Sequence, residues 1–292
     1  MTAQVETSWV KAFHSNLKLL LQQENTKIAQ YTDPQSFVGE EGFWDRIGEI
    51  DPQPAAGRGA ETVVTEVSHD RRKCTFDDYE LATYVAPTDL ERMLTDPTSA
   101  YARAFIAGFN RKKDLIVRNA FFATVSTGKT GTGSTTFPAG QDVTTTGGAT
   151  VAKFLSAKML LLGAEIPEGS EIHVAIDVRA LEQLLADEKA INRDYGFTAL
   201  MNADAQSLRL LGMQWHLYNN IETDASGGAQ NGRRMYPVWV REGMAVHMAT
   251  DVTVAYDRLP TKSMANQLFA SLGMGATRME EEMVVRVYCS AS

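Results

Sequence analysis

The longest regular pattern of apolar and polar positions in the chain lies between Asp96 and Thr127. Its apolar residues recur at helical spacing, with one slip in the charged middle, at Tyr101, Phe105, Phe109, Ile116, Ala120 and Ala123. Its basic residues face the other way, at Arg103, Arg111, Lys112, Lys113 and Arg118. Asp96 and Pro97 favour a helix start, and a run of Gly, Ser and Thr follows Ser126. The pattern predicts one helix of about 45 Å, which needs a large surface to lie against.

The residues before this helix predict a second helix and a β-hairpin. Residues 7–31 are amphipathic, and this helix docks either on the chain's own core or on a partner subunit. Residues 35–59 are rich in Gly and Pro and predict an irregular segment. Alternation on both sides of a turn at Ser68-His69-Asp70 predicts a two-stranded hairpin over 60–86. Because the hairpin is too polar to bury either face, we expect it to lean on another surface, which can belong to a neighbouring chain.

The second half of the chain alternates between helical and strand patterns. Residues 126–149 predict a flexible or hairpin-like loop, 88–94 and 149–163 predict helices, and 178–187 predicts a short helix. The predicted strands are 172–176, 213–217, 235–240, 244–249, 252–256 and 283–289. Residues 222–234 predict a long polar loop, and 262–272 fits a helix or a strand. This order predicts an α/β lobe after an elongated first half.

Composition narrows the class of protein. The chain has 292 residues, of which 44% are hydrophobic and 22% are charged, so one large or two modest soluble domains are expected. Its net charge of −8 disfavours gripping nucleic acid, although the protein could still enclose it. Two distant cysteines, Cys74 and Cys289, suit a reducing cytosol. We expect no signal peptide and no membrane span, since the chain has neither pattern.

Candidate chemistry is sparse. Gly128-Lys129-Thr130 resembles part of a phosphate loop, but Ala123 stands where the first Gly is needed, which favours a flexible loop. The five histidines lack metal-ligand spacing, and His173 and His216 fall on the more polar faces of predicted strands, which favours surface or subunit-contact positions. Both cysteines are predicted to be structural. We therefore expect no cofactor, no metal and no catalysis.

Two charged runs leave alternatives open. Glu280-Glu281-Glu282 fits a cation site or, as we favour, a solvated strand edge or turn. Arg111-Lys112-Lys113 fits a nucleic-acid contact or, as we favour on an acidic chain, a helix face that pairs with acidic neighbours.

The order of these parts resembles that of the major capsid proteins of tailed bacteriophages, with the Hong Kong 97-type capsid fold. The resemblance covers nearly the whole chain. The segments that carry it are Arg71–Gly128 with Asp89 and Arg111-x-x-Asp114, Leu184-Leu185 followed by Asn192–Gly196, and Gly275–Arg278 leading into the strand Val284–Val287.

The resemblance implies an α+β fold with named parts. They are an N-terminal arm at 1–35, an extended loop at 36–88, a peripheral domain at 89–170 with a spine helix at 97–127, an axial domain at 171–257, and a return to the peripheral domain at 258–292. It also implies assembly contacts, which we assign to Glu66, Arg71, Arg72, Lys73, Arg111, Asp114 and Arg118. Lys73 is not predicted to form a covalent cross-link.

The implied function is self-assembly into pentamers and hexamers of an icosahedral shell that encloses double-stranded DNA without binding it specifically. The implied location is the virion capsid, assembled in the host cytoplasm. No scaffolding segment precedes the arm, so either a separate scaffolding protein is implied or the segment has been removed; a portal and decoration proteins are further implied partners. An encapsulin-type compartment shares the fold and is the alternative, and a soluble α/β enzyme is an alternative from another class.

Overall fold

A computed structural model describes residues 23–35, 41–48, 50–54, 57, 59, 61, 64–85, 98–167, 169–187 and 208–290. Contact clustering divides the chain into two compact units. Unit 1 comprises Met1–Asn25, Asp78–Lys112 and Thr250–Leu272, and unit 2 comprises Thr26–Asp77, Lys113–Ala249 and Gly273–Ser292. The predicted helix at 7–22, the predicted helix at 88–94, the Asp96-Pro97 start, Asp89 and Asn192–Gly196 lie outside the described residues.

The described part contains α-helices and strands in mixed order. The helices are α1 Thr98–Phe122, α2 Val151–Gly163 and α3 Val178–Ala186. The strands are β1 Asp33–Gln35, β2 Glu41–Ile47, β3 His69–Thr75, β4 Asp77–Val85, β5 Val125–Thr127, β6 Gly133–Thr135, β7 Asp142–Val143, β8 Ile172–Ile176, β9 Leu208–Leu210, β10 Met213–Leu217, β11 Glu222–Thr223, β12 Arg234–Val240, β13 Met244–Leu259, β14 Ala265–Arg278 and β15 Val284–Cys289.

A seven-stranded sheet in unit 2 carries the main core. Its order is β7-β15-β12-β8-β10-β9, with β11 paired to β12. All five residues of β8 are buried, and β12 and β15 are buried along most of their length. α2 packs on β15 and β7, and its Phe154 ring meets Trp215 edge to face at 4.7 Å. Because both faces of the central strands are covered, their sequences are nearly continuous apolar runs.

A buried N-cap residue, Asp177, fixes the start of helix α3. The Asp177 carboxylate accepts a hydrogen bond from the Ala180 amide at 2.8 Å and another from the Tyr236 hydroxyl at 2.8 Å. This places α3 directly after β8, and the chain later returns as β10, parallel to β8. The unit β8–α3–β10 is therefore a crossover of the βαβ kind.

A second sheet in unit 2 has the order β2-β3-β5-β6. β2 pairs with β3 from Glu41↔Thr75 to Ile47↔His69, and the Gly48 amide donates to the Ser68 carbonyl at 2.8 Å. The two-stranded hairpin predicted over 60–86 is therefore wrong. Residues 64–68 form no strand, the predicted turn at 68–70 lies at the start of β3, and β4 belongs to a third sheet of order β1-β13-β14-β4.

Unit 1 combines residues of α1 with parts of the third sheet. β14 alternates inward at Ala265, Leu268, Ala270 and Leu272. The Asn110 amide donates to the Glu24 carbonyl at 2.5 Å, and the Lys112 ammonium lies 4.1 Å from the centre of the Tyr79 ring. Helix α1 and strands β13 and β14 have residues in both units.

Most element predictions in the second half are confirmed. α2, α3, β8, β10, β12 and β15 lie within a few residues of their predicted bounds. The ambiguous stretch 262–272 is a strand from Ala265 onward, and the predicted strands at 244–249 and 252–256 are one strand. Of the N-terminal helix predicted to reach 31, the described residues form only a 3-10 turn at Ala29–Tyr31. α1 ends at Phe122 instead of 127, because Val125–Thr127 pair with β3 and β6 as β5.

Gly275 marks a close crossing of two strands in unit 2. A Cβ placed there would meet the Thr75 carbonyl oxygen, lie 3.0 Å from the Thr75 carbonyl carbon and lie 3.1 Å from the Cys74 sulfur. Backbone atoms cannot move aside as a flexible side chain can. β14 therefore needs glycine at this position.

Gly275→Ala is expected to lower the free energy of unfolding by about 2 kcal/mol through overpacking against the Thr75 backbone. The matched control is Gly163→Ala, because a Cβ at Gly163 meets no atom within 4 Å. That control should change stability by less than about 1 kcal/mol, since alanine is the better helix former. Urea unfolding of the purified variants measures both, and equal stabilities would contradict the close crossing.

Candidate functional site

The β2–β3 hairpin is anchored in unit 2 by a buried ionic cluster. The Arg72 side chain in β3 is only 2% exposed. Its Nη2 donates to both carboxylate oxygens of Glu281, at 2.5 and 2.6 Å, and its Nε donates to the Met279 carbonyl at 3.1 Å. Arg46 of β2 approaches the same carboxylate at 3.6 Å. The turn after β14 thereby holds both strands of the hairpin.

A second buried arginine extends this cluster. Arg278 is fully buried, and its Nη1 donates to the Phe121 and Ala123 carbonyls at 2.7 and 3.1 Å, where α1 ends. Its Nη2 lies 3.9 Å from Glu281. Burial lowers the pKa of Arg278 to about 10, and Glu281 opposes this shift. Burial also lowers the pKa of Arg72. Both guanidinium groups stay charged at neutral pH, so Glu281 is their counterion.

Asp114 forms a second anchor, on α1. Its side chain is fully buried, and it accepts hydrogen bonds from the backbone amides of Lys27, Ile28 and Ala29, at 2.8, 3.0 and 3.0 Å. Three amide donors on one carboxylate act as a helix cap supplied from a distant part of the chain. The bonds fix the segment Thr26–Gln35, whose end pairs as β1 with β13.

The seven predicted assembly residues divide into two sets. Arg72 and Asp114 are buried and bonded within the chain. The sequence could not show this, because their bonding partners are far away in sequence. Contact with a second subunit stays a prediction for all seven, and the remaining five are Glu66, Arg71, Lys73, Arg111 and Arg118.

The remaining five reach the surface to different degrees. Glu66 and Arg111 are exposed. Arg71 is paired with Asp45 and Lys73 with Glu41, both across β2 and β3. Arg118 donates to the side chain and carbonyl of Asn220 at 2.8 and 3.2 Å. An exposed ion pair such as Arg71–Asp45 adds little stability, so Arg71 can exchange partners at small cost.

Large apolar side chains are exposed around the β2–β3 hairpin. Ile47 at the end of β2 is 68% exposed, Ile50 is 50% exposed and Val64 is 84% exposed. The described residues between Gly48 and Ser68 form no helix or strand. A concentration of exposed apolar side chains in one part of the chain is typical of a protein–protein contact.

A second apolar surface lies on α2. Leu155, Met159 and Leu162 are 42%, 51% and 47% exposed and are spaced to share one face of the helix. The two lysines of the helix turn inward: Lys153 Nζ donates to the Gly147 and Tyr288 carbonyls, and Lys158 Nζ donates to the Leu211 carbonyl at 2.6 Å. The exposed face of α2, which we call the α2 strip, therefore carries no charge. Its exposed residues are Ala152, Leu155, Ser156, Met159, Leu162 and Gly163.

The predicted surface positions of His173 and His216 are wrong. His173 is fully buried, His216 is 7% exposed, and His173 Nδ1 lies 3.1 Å from His216 Nε2. Alternation suggested a solvated face, but β8 and β10 lie inside a sheet that is covered on both sides. The interpretation of the acidic run is correct for Glu282, which is exposed, and wrong for Glu281, which is the counterion of the arginine cluster.

Other candidate chemistry finds no support in the described residues. They hold no group of three or more His, Cys, Asp or Glu side chains that could bind a metal ion. Gly128-Lys129-Thr130 lies in the turn between β5 and β6 and not at a helix start. Cys74 and Cys289 are buried and free, and burial raises the pKa of Cys74 to about 12 and that of Cys289 to about 11. Within the described ranges, no helix combines the length and apolar character that a bilayer crossing requires.

Glu281→Gln is expected to destabilise the chain by about 3 kcal/mol, because it leaves the buried Arg72 and Arg278 without a counterion. Glu282→Gln makes the same change of charge one residue away, on an exposed side chain. Thermal unfolding of both variants is the measurement. A loss of stability as large for Glu282→Gln as for Glu281→Gln would show that the cluster contributes nothing specific.

Comparison with known proteins agrees with this architecture. No curated protein matches the chain in sequence. The structure resembles the capsid of the cyanophage P-SCSP1u with a TM-score of 0.75 at 14% identity, covering 100% of this chain and 96% of that one. It resembles the capsid of Ralstonia phage GP4 with a TM-score of 0.75 at 10% identity, covering 100% and 98%. A structure from Mycobacterium phage Che8 gives a TM-score of 0.71 at 14% identity, covering 96% and 97%.

These structural matches show the fold, which is that of phage capsid proteins, as the sequence predicted. The family model described as phage capsid protein matches residues 5–291, nearly the whole chain. An encapsulin-type compartment is not favoured, because the family model and these three structures are all of phage proteins. The chain therefore belongs to the phage capsid protein family, and its function is that of a major capsid protein that forms the shell.

Proposed function

We propose that copies of this chain assemble into pentamers and hexamers, which close into the icosahedral head of a tailed phage around double-stranded DNA. The match to the capsid family over residues 5–291 carries this proposal. Closed rings need contacts between different faces of one subunit. The exposed residues Ile47, Ile50 and Val64 at and after the end of β2, and the α2 strip, offer two such faces within unit 2, and each exposes apolar side chains that an isolated chain leaves in water.

The role of the shell is structural and not catalytic in this proposal. The net charge of −8 makes attraction between the shell and packaged DNA weak, so DNA is enclosed without specific binding. Assembly takes place in the host cytoplasm, with a separate scaffolding protein, a portal and decoration proteins as further partners. No cofactor takes part.

The parts named by resemblance keep their assignments within this proposal, with one change. The arm is 1–35, the extended loop 36–88, the peripheral domain 89–170 and 258–292, and the axial domain 171–257. The change concerns the projecting part of the extended loop, which we place in the residues between β2 and β3. The ends of this connection are adjacent, because the Gly48 amide bonds to the Ser68 carbonyl.

The first test shortens this connection. Replacing residues 50–66 by a short Gly-Ser linker leaves the β2–β3 register and the Arg72–Glu281 cluster in place, because both lie outside the replaced residues. We expect a folded protein that forms no closed shells, since an obligate contact of the assembly is gone. Electron microscopy scores the shells, and circular dichroism checks the fold.

The control inserts the same short Gly-Ser linker into the β5–β6 turn, after Gly128, and so alters a different loop of the same sheet.

Closed shells from the variant with residues 50–66 replaced would refute the assignment of the projecting part of the extended loop to the residues between β2 and β3. Wild-type chain that stays unassembled under every condition would refute the shell itself.

The second test concerns the α2 strip. Met159→Glu places a charge in the middle of an uncharged face, and burying it in a subunit contact would be costly. We expect folded protein with assembly reduced by at least tenfold in light scattering. Met159→Leu keeps the side chain apolar and similar in size, so it should assemble like the wild type. Normal assembly of Met159→Glu would remove the α2 strip from the contact surfaces.

A further inference from the structure

Two of the three buried histidines, His173 and His216, form a pair on one face of the seven-stranded sheet. β8 and β10 run parallel with His173 opposite Gln214 and His216 opposite Ala175, so the two imidazoles are diagonal neighbours. Their facing nitrogens, His173 Nδ1 and His216 Nε2, are 3.1 Å apart. An apolar pair would fill this position at lower cost, and nothing in shell formation requires imidazoles here.

The ring of Tyr31, in the segment Thr26–Gln35, packs against both histidines. Its ring stacks on His216 with centroids 3.8 Å apart and lies 5.0 Å from the His173 ring. Trp239, opposite His173 on β12, donates from its indole nitrogen to the Tyr31 carbonyl at 3.0 Å. Arg241 donates to the next carbonyl, that of Thr32, at 3.3 Å. The segment that carries Tyr31 is therefore seated directly on the histidines.

The charged groups that act on the pair are few. Within the described residues, a Glu171 carboxylate oxygen lies 4.0 Å from His173 Nε2 and favours protonation, while Arg241 opposes it. His216 is opposed by His173 itself. Burial outweighs these charges: it lowers the pKa of His173 to about 4 and, together with His173, that of His216 to about 3. Both imidazoles are neutral at pH 7.

Proton uptake conflicts with this packing. Two neutral imidazoles share one hydrogen between the facing nitrogens, and one added proton can bind an outer ring nitrogen without breaking this hydrogen bond. When both are charged, each facing nitrogen carries a hydrogen, and the hydrogen bond is replaced by repulsion between two cations beneath the Tyr31 ring. Both charges are relieved when the ring lifts and water reaches the imidazoles.

We propose that the His173–His216 pair and the Tyr31 ring stacked on it form an acid-sensitive latch that seats the segment Thr26–Gln35 on the sheet and releases it when the imidazoles take up protons. The open state binds protons with the ordinary histidine pKa of about 6.5, and the closed state binds them only well below that. The closed state is therefore fully favoured above pH 6.5, and it loses stability as the pH falls from there towards 4 and 3, where the closed pair itself titrates.

The difference in proton binding between the open and closed states sets how strongly pH shifts the opening equilibrium. Below the ordinary pKa, each imidazole that becomes hydrated shifts the opening equilibrium by up to about tenfold per pH unit, and two imidazoles by up to about a hundredfold. The amides of Lys27, Ile28 and Ala29 belong to the same segment and bond to Asp114 in the closed state, so lifting the segment breaks these bonds. Opening is therefore a local event, reported by exchange of those three amides, and not unfolding of unit 2.

Hydrogen–deuterium exchange of the purified full-length protein tests the latch. Between pH 7 and pH 5, after correction for intrinsic exchange rates, exchange in residues 26–32 should rise by at least about tenfold, while α2, residues 151–163, should stay unchanged. The double variant His173→Asn, His216→Gln replaces the facing nitrogens by groups that do not titrate, so its exchange in 26–32 should lose the rise between pH 7 and pH 5. His247, the third buried imidazole, lies opposite Gln35 at the end of the segment and is unchanged in this variant, so a full rise that remained there would be assigned to His247 and would overturn the latch. His69→Gln removes an exposed imidazole in β3 and should behave as the wild type.

The variant His216→Gln provides a second measurement if the double variant does not fold. It should keep about half of the logarithmic rise, since one titrating imidazole remains. Flat wild-type exchange over this pH range would overturn the latch, as would an unchanged rise in the double variant or in His216→Gln. The latch lies within one chain, so failure to assemble into shells would leave its test intact.

Discussion

The carboxylate of Glu281 is the constraint on which unit 2 depends. It is the shared counterion of Arg72, Arg278 and Arg46, and through them it joins the β2–β3 hairpin, the turn after β14 and the end of α1. Buried charges tolerate little displacement, because each loses hydration that only its partner replaces. An apolar cluster could hold these segments together in several arrangements, whereas the directional bonds of Arg72, from Nη2 to both Glu281 oxygens and from Nε to the Met279 carbonyl, fix the geometry. The position of the β2–β3 hairpin is thus fixed by directional, charged hydrogen bonds to Glu281.

Local patterns were sufficient wherever the fold is built from neighbouring residues. β8, α3 and β10 followed from alternation and helical spacing, and Asp177 before α3 is an ordinary cap. The hairpin could not be found in this way. β3 is the polar sequence HDRRKCT, and its inward residue Arg72 is satisfied by Glu281, 209 positions away. No window of sequence contains both partners, so the pattern placed a hairpin over 60–86 instead.

The candidate surfaces were predictable to a similar extent. The sequence pointed to the charged residues of the hairpin and of α1, yet it could not tell Arg71 and Lys73, which reach the surface, from Arg72 and Asp114, which do not. The prediction that His173 and His216 lie at the surface was wrong for a related reason. Alternation shows which face of a strand is more polar, but it does not show whether water reaches that face. Conversely, the pattern at 149–163 predicted the helix α2, but helical spacing cannot distinguish a buried stripe from the exposed Leu155, Met159 and Leu162.

The inward turn of Lys153 and Lys158 also bears on how subunits meet. With both ammonium groups bound to backbone carbonyls, the outer face of α2 presents no charged side chain that could form an ion pair with an incoming molecule. A contact there depends on the burial of Leu155, Met159 and Leu162, which screening by salt does not weaken, whereas ion pairs made by Arg71 and Lys73 on β3 are screened by salt within roughly 10 Å. Added salt would therefore weaken one kind of contact and spare the other, so it can change the order in which contacts form without changing which contacts are made.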